Sequence, residues 1–412
     1  MSAAPTLRRA LGTRDAVVIG MGSMIGAGVF TAIGPAAAAA GDWLLLGLVI
    51  AGLVALCNAM SSAWLAALYP ESGGTYVYGR RRLGHFWGFL AGWAFVVGKL
   101  ASCAAMAFTI GVYLWPAQAR GLAIAAVVVL VAVNYAGIQR TAAATRVILA
   151  ITLLVLAMTV VALLGGGPAL EGAQGTGGAS GIAQAAAFFF FAFAGYARIA
   201  TLGEEVRDPA RTIPRAIPLA LGLVLAVYAV VAVGALWSAG PAALAASPAP
   251  LAAAVEAGGL AELAPVVRAG AAIASVGVLL ALIAGISRTG LAMARGGDLP
   301  AWLSAVHPRF RTPYRAEVAV GAVVIAVVGV GDLRGAIAFS SFAVLGYYAI
   351  ANASALTLPA HHARGSRVLP VVGVVGCVAL AAALPWPSVA QGAAVLAVGA
   401  LVFAARTQAR RR

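Results

Sequence analysis

The chain has 412 residues, 63% of them hydrophobic and only 9% charged, with a mean hydropathy of +0.99, whereas soluble domains carry roughly 25% charged residues. No soluble core hides that much apolar surface, and apolar stretches of about 20 residues recurring through the whole chain define a membrane bundle instead. The net charge of +15 does not mark a nucleic-acid binder, because the basic residues form no face or stripe and sit between the apolar segments.

In chain order, the apolar stretches fall near 15–39, 43–69, 86–114, 121–138, 147–165, 182–202, 215–238, 266–292, 316–331, 335–358, 368–385 and 388–405, which makes twelve. Arg8 and Arg9 precede the first, as in a secretory signal, but that stretch is long for a signal and many like it follow, so it reads as a spanning helix. With a cytoplasmic N-terminus, 22 of the 27 Lys and Arg residues fall on one side, in clusters such as Arg80–Arg82, Arg207/Arg211/Arg215 and Arg406/Arg410–Arg412. This asymmetry predicts a multi-pass protein with both termini in the cytoplasm.

The first span contains Gly20, Gly22, Gly26 and Gly28, four glycines in nine positions. Two readings stand: a helix opened at membrane depth to line a binding site, or a Gly-x-x-x-Gly surface that lets two helices approach. Tyr76 and Tyr78 beside Arg80–Arg82, with Trp87 and Trp93, read as interfacial anchors. Lys99 is the only lysine and lies about thirteen residues from each end of span three, too deep to snorkel easily. It either takes a cation position and titrates or faces the carboxylate of a ligand.

Span six runs Phe188-Phe189-Phe190-Phe191-Ala192-Phe193-Ala194-Gly195-Tyr196-Ala197-Arg198, where a charge follows a glycine inside an apolar run. Five crossings separate spans one and six, so two five-helix repeats of opposite topology would place the two interruptions in corresponding positions. Beyond it, Glu204, Glu205 and Asp208 adjoin Arg207, Arg211 and Arg215, either as a solvated loop with local ion pairs or as an inner gate. Residues 166–181 and 239–265 read as external loops, and 295–315, with Pro300, Pro308 and Pro313, as a short structured connector. Ser287 and Thr289 in span eight either contribute hydroxyls near a cation site or satisfy their own helix.

Cys57, Cys103 and Cys377 sit in apolar runs without C-x-x-C spacing and read as packing residues. No H-E-x-x-H and no paired intramembrane aspartates support a membrane enzyme, and no charged ring or filter-like run supports a channel.

Gly22-Ser23-Met24-Ile25-Gly26-Ala27-Gly28-Val29-Phe30 resembles the first-helix signature of the amino acid/polyamine/organocation (APC) transporters, bacterial amino acid permeases among them. Phe193-Ala194-Gly195-Tyr196, Glu204-Glu205-Val206-Arg207-Asp208-Pro209, Ala292-Met293-Ala294-Arg295-Gly296-Gly297-Asp298-Leu299-Pro300 and Tyr69-Pro70-Glu71-Ser72-Gly73-Gly74-Thr75-Tyr76 resemble further segments of the same family, in the right order.

The resemblance implies an all-α, roughly twelve-helix membrane protein forming a single transporter domain over 1–412. Its 5+5 inverted repeat would cover about 15–165 and 182–358, with discontinuous helices one and six and two extra helices at about 368–405. It further implies a secondary transporter moving amino acids of neutral or mixed type by alternating access across a plasma membrane, with polyamines or cationic amino acids as the alternative and an intramembrane enzyme the remote one. The substrate carboxylate would meet Ser23 and the amides of Ile25, Gly26, Ala27 and Gly28, next to Met24. The ammonium would meet carbonyls near Phe193, Ala194 and Ile19 or Gly20, and the side chain would point toward Ile25, Phe193 and Tyr196 beside Gly195. Lys99, Arg198, Glu204, Glu205, Ser287 and Thr289 are the coupling or gating candidates. No cofactor is implied; coupling to protons or sodium is left open, as is the oligomeric state.

Overall fold

A computed structural model of the chain describes residues 11–69, 73–137, 142–168, 177–196, 199, 206–359 and 367–411. The glycine-rich first span forms three pieces: α1 (Thr13–Met24), α2 (Ala27–Thr31) and α3 (Ile33–Ala40). The last two are continuous, because Ala32 is itself helical and its N–H donates to the Gly28 carbonyl at 2.9 Å. There follow α4 (Leu44–Leu68), α5 (Thr75–Arg82), α6 (His85–Leu114), α7 (Ala119–Tyr135) and α8 (Ala142–Gly165). The second series is α9 (Gly178–Phe193), α10 (Pro209–Ala246), α11 (Pro250–Ala257), α12 (Ala264–Arg295), α13 (Tyr314–Val330) and α14 (Leu333–Leu356). Two more helices, α15 (Val368–Ala383) and α16 (Trp386–Arg411), complete it.

Nine helices among the described residues are long and apolar enough to cross a membrane. The other three crossings are the broken first span and the shorter α13 and α15, of 17 and 16 residues. The two series repeat their lengths. Short α5 and α11 each have 8 residues, α6 and α12 have 30 and 32, α7 and α13 have 17 each, and α8 and α14 have 24 each. Because five crossings separate them, equivalent helices run in opposite directions, so α5 and α11 lie on opposite faces of the bundle. The predicted loop at 239–265 is thus partly helical: α10 runs to Ala246 across a break at Gly240 (φ 70°, ψ 167°), a backbone that favours glycine. Residues 250–257 then form α11.

Helices α6 and α14 pack together at the centre, with α12 and α4 around them. The outer surface is apolar, as lipid contact requires: Leu154, Val161, Val375 and Leu401 are all more than 60% exposed. Exposed tryptophans mark its edges, with Trp43, Trp115, Trp237 and Trp386 at one end and Trp87 and Trp302 at the end that carries the chain termini.

Two ties among the described residues hold that face together. The Arg207 N–H donates to the Leu11 carbonyl at 2.9 Å, holding the residues just before α1 beside Val206, and Arg146 pairs with Asp15. Tyr76 and Tyr78, expected at the lipid interface, are buried instead. Tyr78 packs against Tyr69, and for Tyr76 the reason is Asp298, 4% exposed, which accepts from the Tyr76 hydroxyl at 2.7 Å and lies 2.9 Å from His85 Nε2, with Arg80 at 3.7 Å. Burial and the bond to Asp298 push the Tyr76 phenol up to about 12.

Candidate functional site

The α1 helix stops because Ile25 (ψ 85°) and Gly26 (φ −139°, ψ −146°) leave helical geometry. Its last amides stay paired locally: the Ile25 N–H donates to the Met21 carbonyl at 2.7 Å and the Gly26 N–H to Met24 at 2.9 Å. The second break lies opposite, where α9 ends at Phe193 and Ala194–Tyr196 tighten into a 3₁₀ turn. Glycine is required where the breaks meet. A Cβ on Gly195 would lie 2.1 Å from the Ser23 carbonyl oxygen, and one on Gly28 would lie 2.6 Å from the Ala192 Cα. The glycines of both spans therefore serve close backbone approach and helix opening together.

Side chains from other helices complete the junction. The Tyr228 hydroxyl of α10 lies 2.7 Å from the Met24 carbonyl and 3.1 Å from the Ala192 carbonyl, spanning both broken segments. Lys99 of α6, 6% exposed, donates from Nζ to the Ala194 carbonyl at 3.3 Å, and the Tyr348 hydroxyl donates to the same oxygen at 3.4 Å. Tyr113 donates to the Phe30 carbonyl just beyond the first break. The surrounding wall is aromatic: Tyr196 stacks on Tyr348 with centroids 4.9 Å apart, and Phe193 lies 5.2 Å from Tyr228.

The fold thus gathers Ser23, Met24, Gly28, Ala194, Gly195 and Lys99 at one point. Ile25, Gly26, Ala27, Phe193 and Tyr196 are buried around it. The Ser23 hydroxyl donates to the Ile19 carbonyl at 2.8 Å, and Gly20 packs against Ile199 of span six. Ser287 and Thr289 donate to Ile283 and Gly285 of their own helix, at 2.8 and 3.0 Å. Arg198, Glu204 and Glu205 lie outside the described residues. Sequence reasoning missed Tyr228 and Tyr348, whose only signal is a phenol in the middle of an apolar span.

On the face opposite the termini, a cavity of about 630 Å³ opens between α3, α6 and the segments preceding α7, α11 and α14. It reaches down to Thr31 and Phe108, and its ionisable lining is Arg120, Asp332 and Arg334.

A bundle of twelve crossings, two of them broken and facing each other, is the architecture of a secondary transporter. The family described as amino acid permease matches residues 15–389. The chain belongs to that family, within the APC superfamily, and is a multi-pass membrane transporter rather than an enzyme. An uncharacterized transporter of Mycobacterium tuberculosis is 63% identical over 409 residues, covering 98% of this chain and 93% of that one. Branched-chain amino acid permease BcaP of Bacillus subtilis is 25% identical over 431 residues, covering 97% and 93%. Cationic amino acid transporter 7, chloroplastic, of Arabidopsis thaliana is 28% identical over 380 residues, covering 84% and 65%.

Proposed function

We propose that the protein carries amino acids, neutral or of mixed type, across the plasma membrane by alternating access, with both termini in the cytoplasm. The observation that carries this reading is the meeting of the two breaks, where Gly195 touches the Ser23–Met24 backbone and Tyr228 reaches the carbonyls of both segments. Freed amides after Gly26 suit a carboxylate, and carbonyls at the end of α9 suit a cation. The lining is mostly apolar, which favours an uncharged side chain. The open cavity on one face and the ties on the other correspond to an outward-facing state.

Arg198, within span six, and Glu204 and Glu205, just after it in sequence, are assigned to coupling and gating, and Lys99 to a cation position at the second break. Uptake of a labelled amino-acid panel into proteoliposomes tests the function, with and without a pH gradient, a sodium gradient and preloaded amino acid. Saturable uptake of neutral amino acids is expected; no uptake of any amino acid under any condition overturns the proposal.

A further inference from the structure

Beyond the reading as an amino acid carrier, on which it rests, the distribution of charge in the bundle bears on how substrate is recognised. We propose that the site selects its substrate through the carboxylate, with Lys99 as the resident cation, and rejects diamines and amino acids with cationic side chains.

The first observation is the position of Lys99. Its ammonium is buried and bonded to the Ala194 carbonyl at the second break. A carbonyl at the end of a half-helix is the group a substrate ammonium would use, and here it already faces a cation. With that oxygen taken by Lys99, the substrate's own ammonium is left the other carbonyls at the end of α9. A further positive group on the substrate meets repulsion in a medium of low polarity, whereas its carboxylate meets a partner.

The second observation is the placement of the acids. None of the 12 falls in α4, α6, α9, α10, α12 or α14, Asp15 of α1 pairs with Arg146, and the buried Glu317 stands in the first turn of α13 near Arg288. Among the described residues a cationic side chain at the centre of the bundle thus meets no carboxylate, which is costly at membrane depth. The third observation is the access route. Arg120 and Arg334 line the cavity, and the one acid there, Asp332, accepts the Gly335 N–H at 2.9 Å as the cap of α14. Phe108 at the inner limit of this cavity is nine residues along α6 from Lys99, or about 14 Å at the helical rise. Positive charge therefore stands both at the mouth of the cavity and, deeper along α6, at Lys99.

The test uses the purified full-length protein in detergent, with affinities taken from ligand-induced shifts in melting temperature. The probes are L-leucine, isocaproate (leucine without its ammonium), L-leucinamide (leucine without its carboxylate), L-arginine and putrescine. Leucine and isocaproate are expected to bind, with leucinamide about 10- to 100-fold weaker, the loss set by one charge-assisted hydrogen bond, and arginine and putrescine weakened about as much by repulsion from Lys99. Lys99→Met is expected to erase the preference for leucine over leucinamide, and Lys99→Arg to keep it. Wild-type protein binding arginine, putrescine or leucinamide as tightly as leucine overturns the inference while leaving amino acid transport standing, and so does an unchanged preference in Lys99→Met. Isocaproate binding without leucine binding supports carboxylate selection and removes the amino acid reading; binding of none of the five overturns both.

Discussion

Replacing Tyr228 with phenylalanine removes one oxygen from the junction and leaves the ring, packed 5.2 Å from Phe193, in place. The hydroxyl lies 2.7 Å from the Met24 carbonyl and 3.1 Å from the Ala192 carbonyl, both at buried residues. Its single proton bonds one of them at a time, so the variant loses one hydrogen bond, while the Met24 carbonyl keeps the Gly26 N–H. Such a change is worth about 0.5–1.5 kcal/mol. If the two broken segments separate during transport, the hydroxyl holds them in one state, and its loss shifts that equilibrium by about 2- to 12-fold. Uptake of labelled leucine into proteoliposomes should show a KM or maximal rate altered within that range, with a melting temperature a few degrees lower. Wild-type kinetics and melting in Tyr228→Phe would refute the role of this hydroxyl as a tie between the breaks.

Gly195→Ala should be more severe, because the new methyl would meet the Ser23 carbonyl oxygen at 2.1 Å and the Met24 nitrogen at 2.7 Å, and backbone cannot rotate away. Overpacking of this kind costs about 1–3 kcal/mol; transport should be lost while folded protein is still recovered by size-exclusion chromatography. The Tyr76 phenol, raised to about 12, favours the folded protein in its protonated form. Its contribution is complete below the ordinary tyrosine range near about 10 and fades as the pH climbs through about 12. The difference in melting temperature between wild type and Tyr76→Phe should accordingly shrink at strongly alkaline pH and be constant near neutrality. The Arg146–Asp15 pair is partly exposed, with side chains 56% and 33% accessible. Arg146→Gln should thus change stability by less than about 1 kcal/mol in thermal melts.

The twelve crossings were legible because each is a run of apolar residues bounded by charge or, between the last two, by Pro385-Trp386-Pro387, and the first break because four glycines stand where lipid-spanning helices normally hold larger residues. The ties across the junction were not legible. Tyr228 reaches a carbonyl 204 residues away in sequence, and no local pattern encodes that distance. The eight-residue helices α5 and α11 are too short for periodicity to declare them, and Arg80–Arg82 look like any membrane-flanking cluster. The burial of Asp298 depends on Tyr76 and His85, more than 200 positions earlier, converging on it. Lys99 was legible as an anomaly, a lone lysine deep in a span, but its partner is a main-chain oxygen, which no side-chain motif announces.

The junction is built largely of main-chain carbonyls, offered by Ala192, Ala194, Met24, Phe30 and Ile19. Carbonyls are present whatever residue carries them, so this machinery tolerates sequence drift as long as the glycines that permit close approach persist. The side chains that reach into this backbone frame, Lys99 foremost, are then where a single substitution alters the chemistry offered to a ligand without disturbing the frame itself.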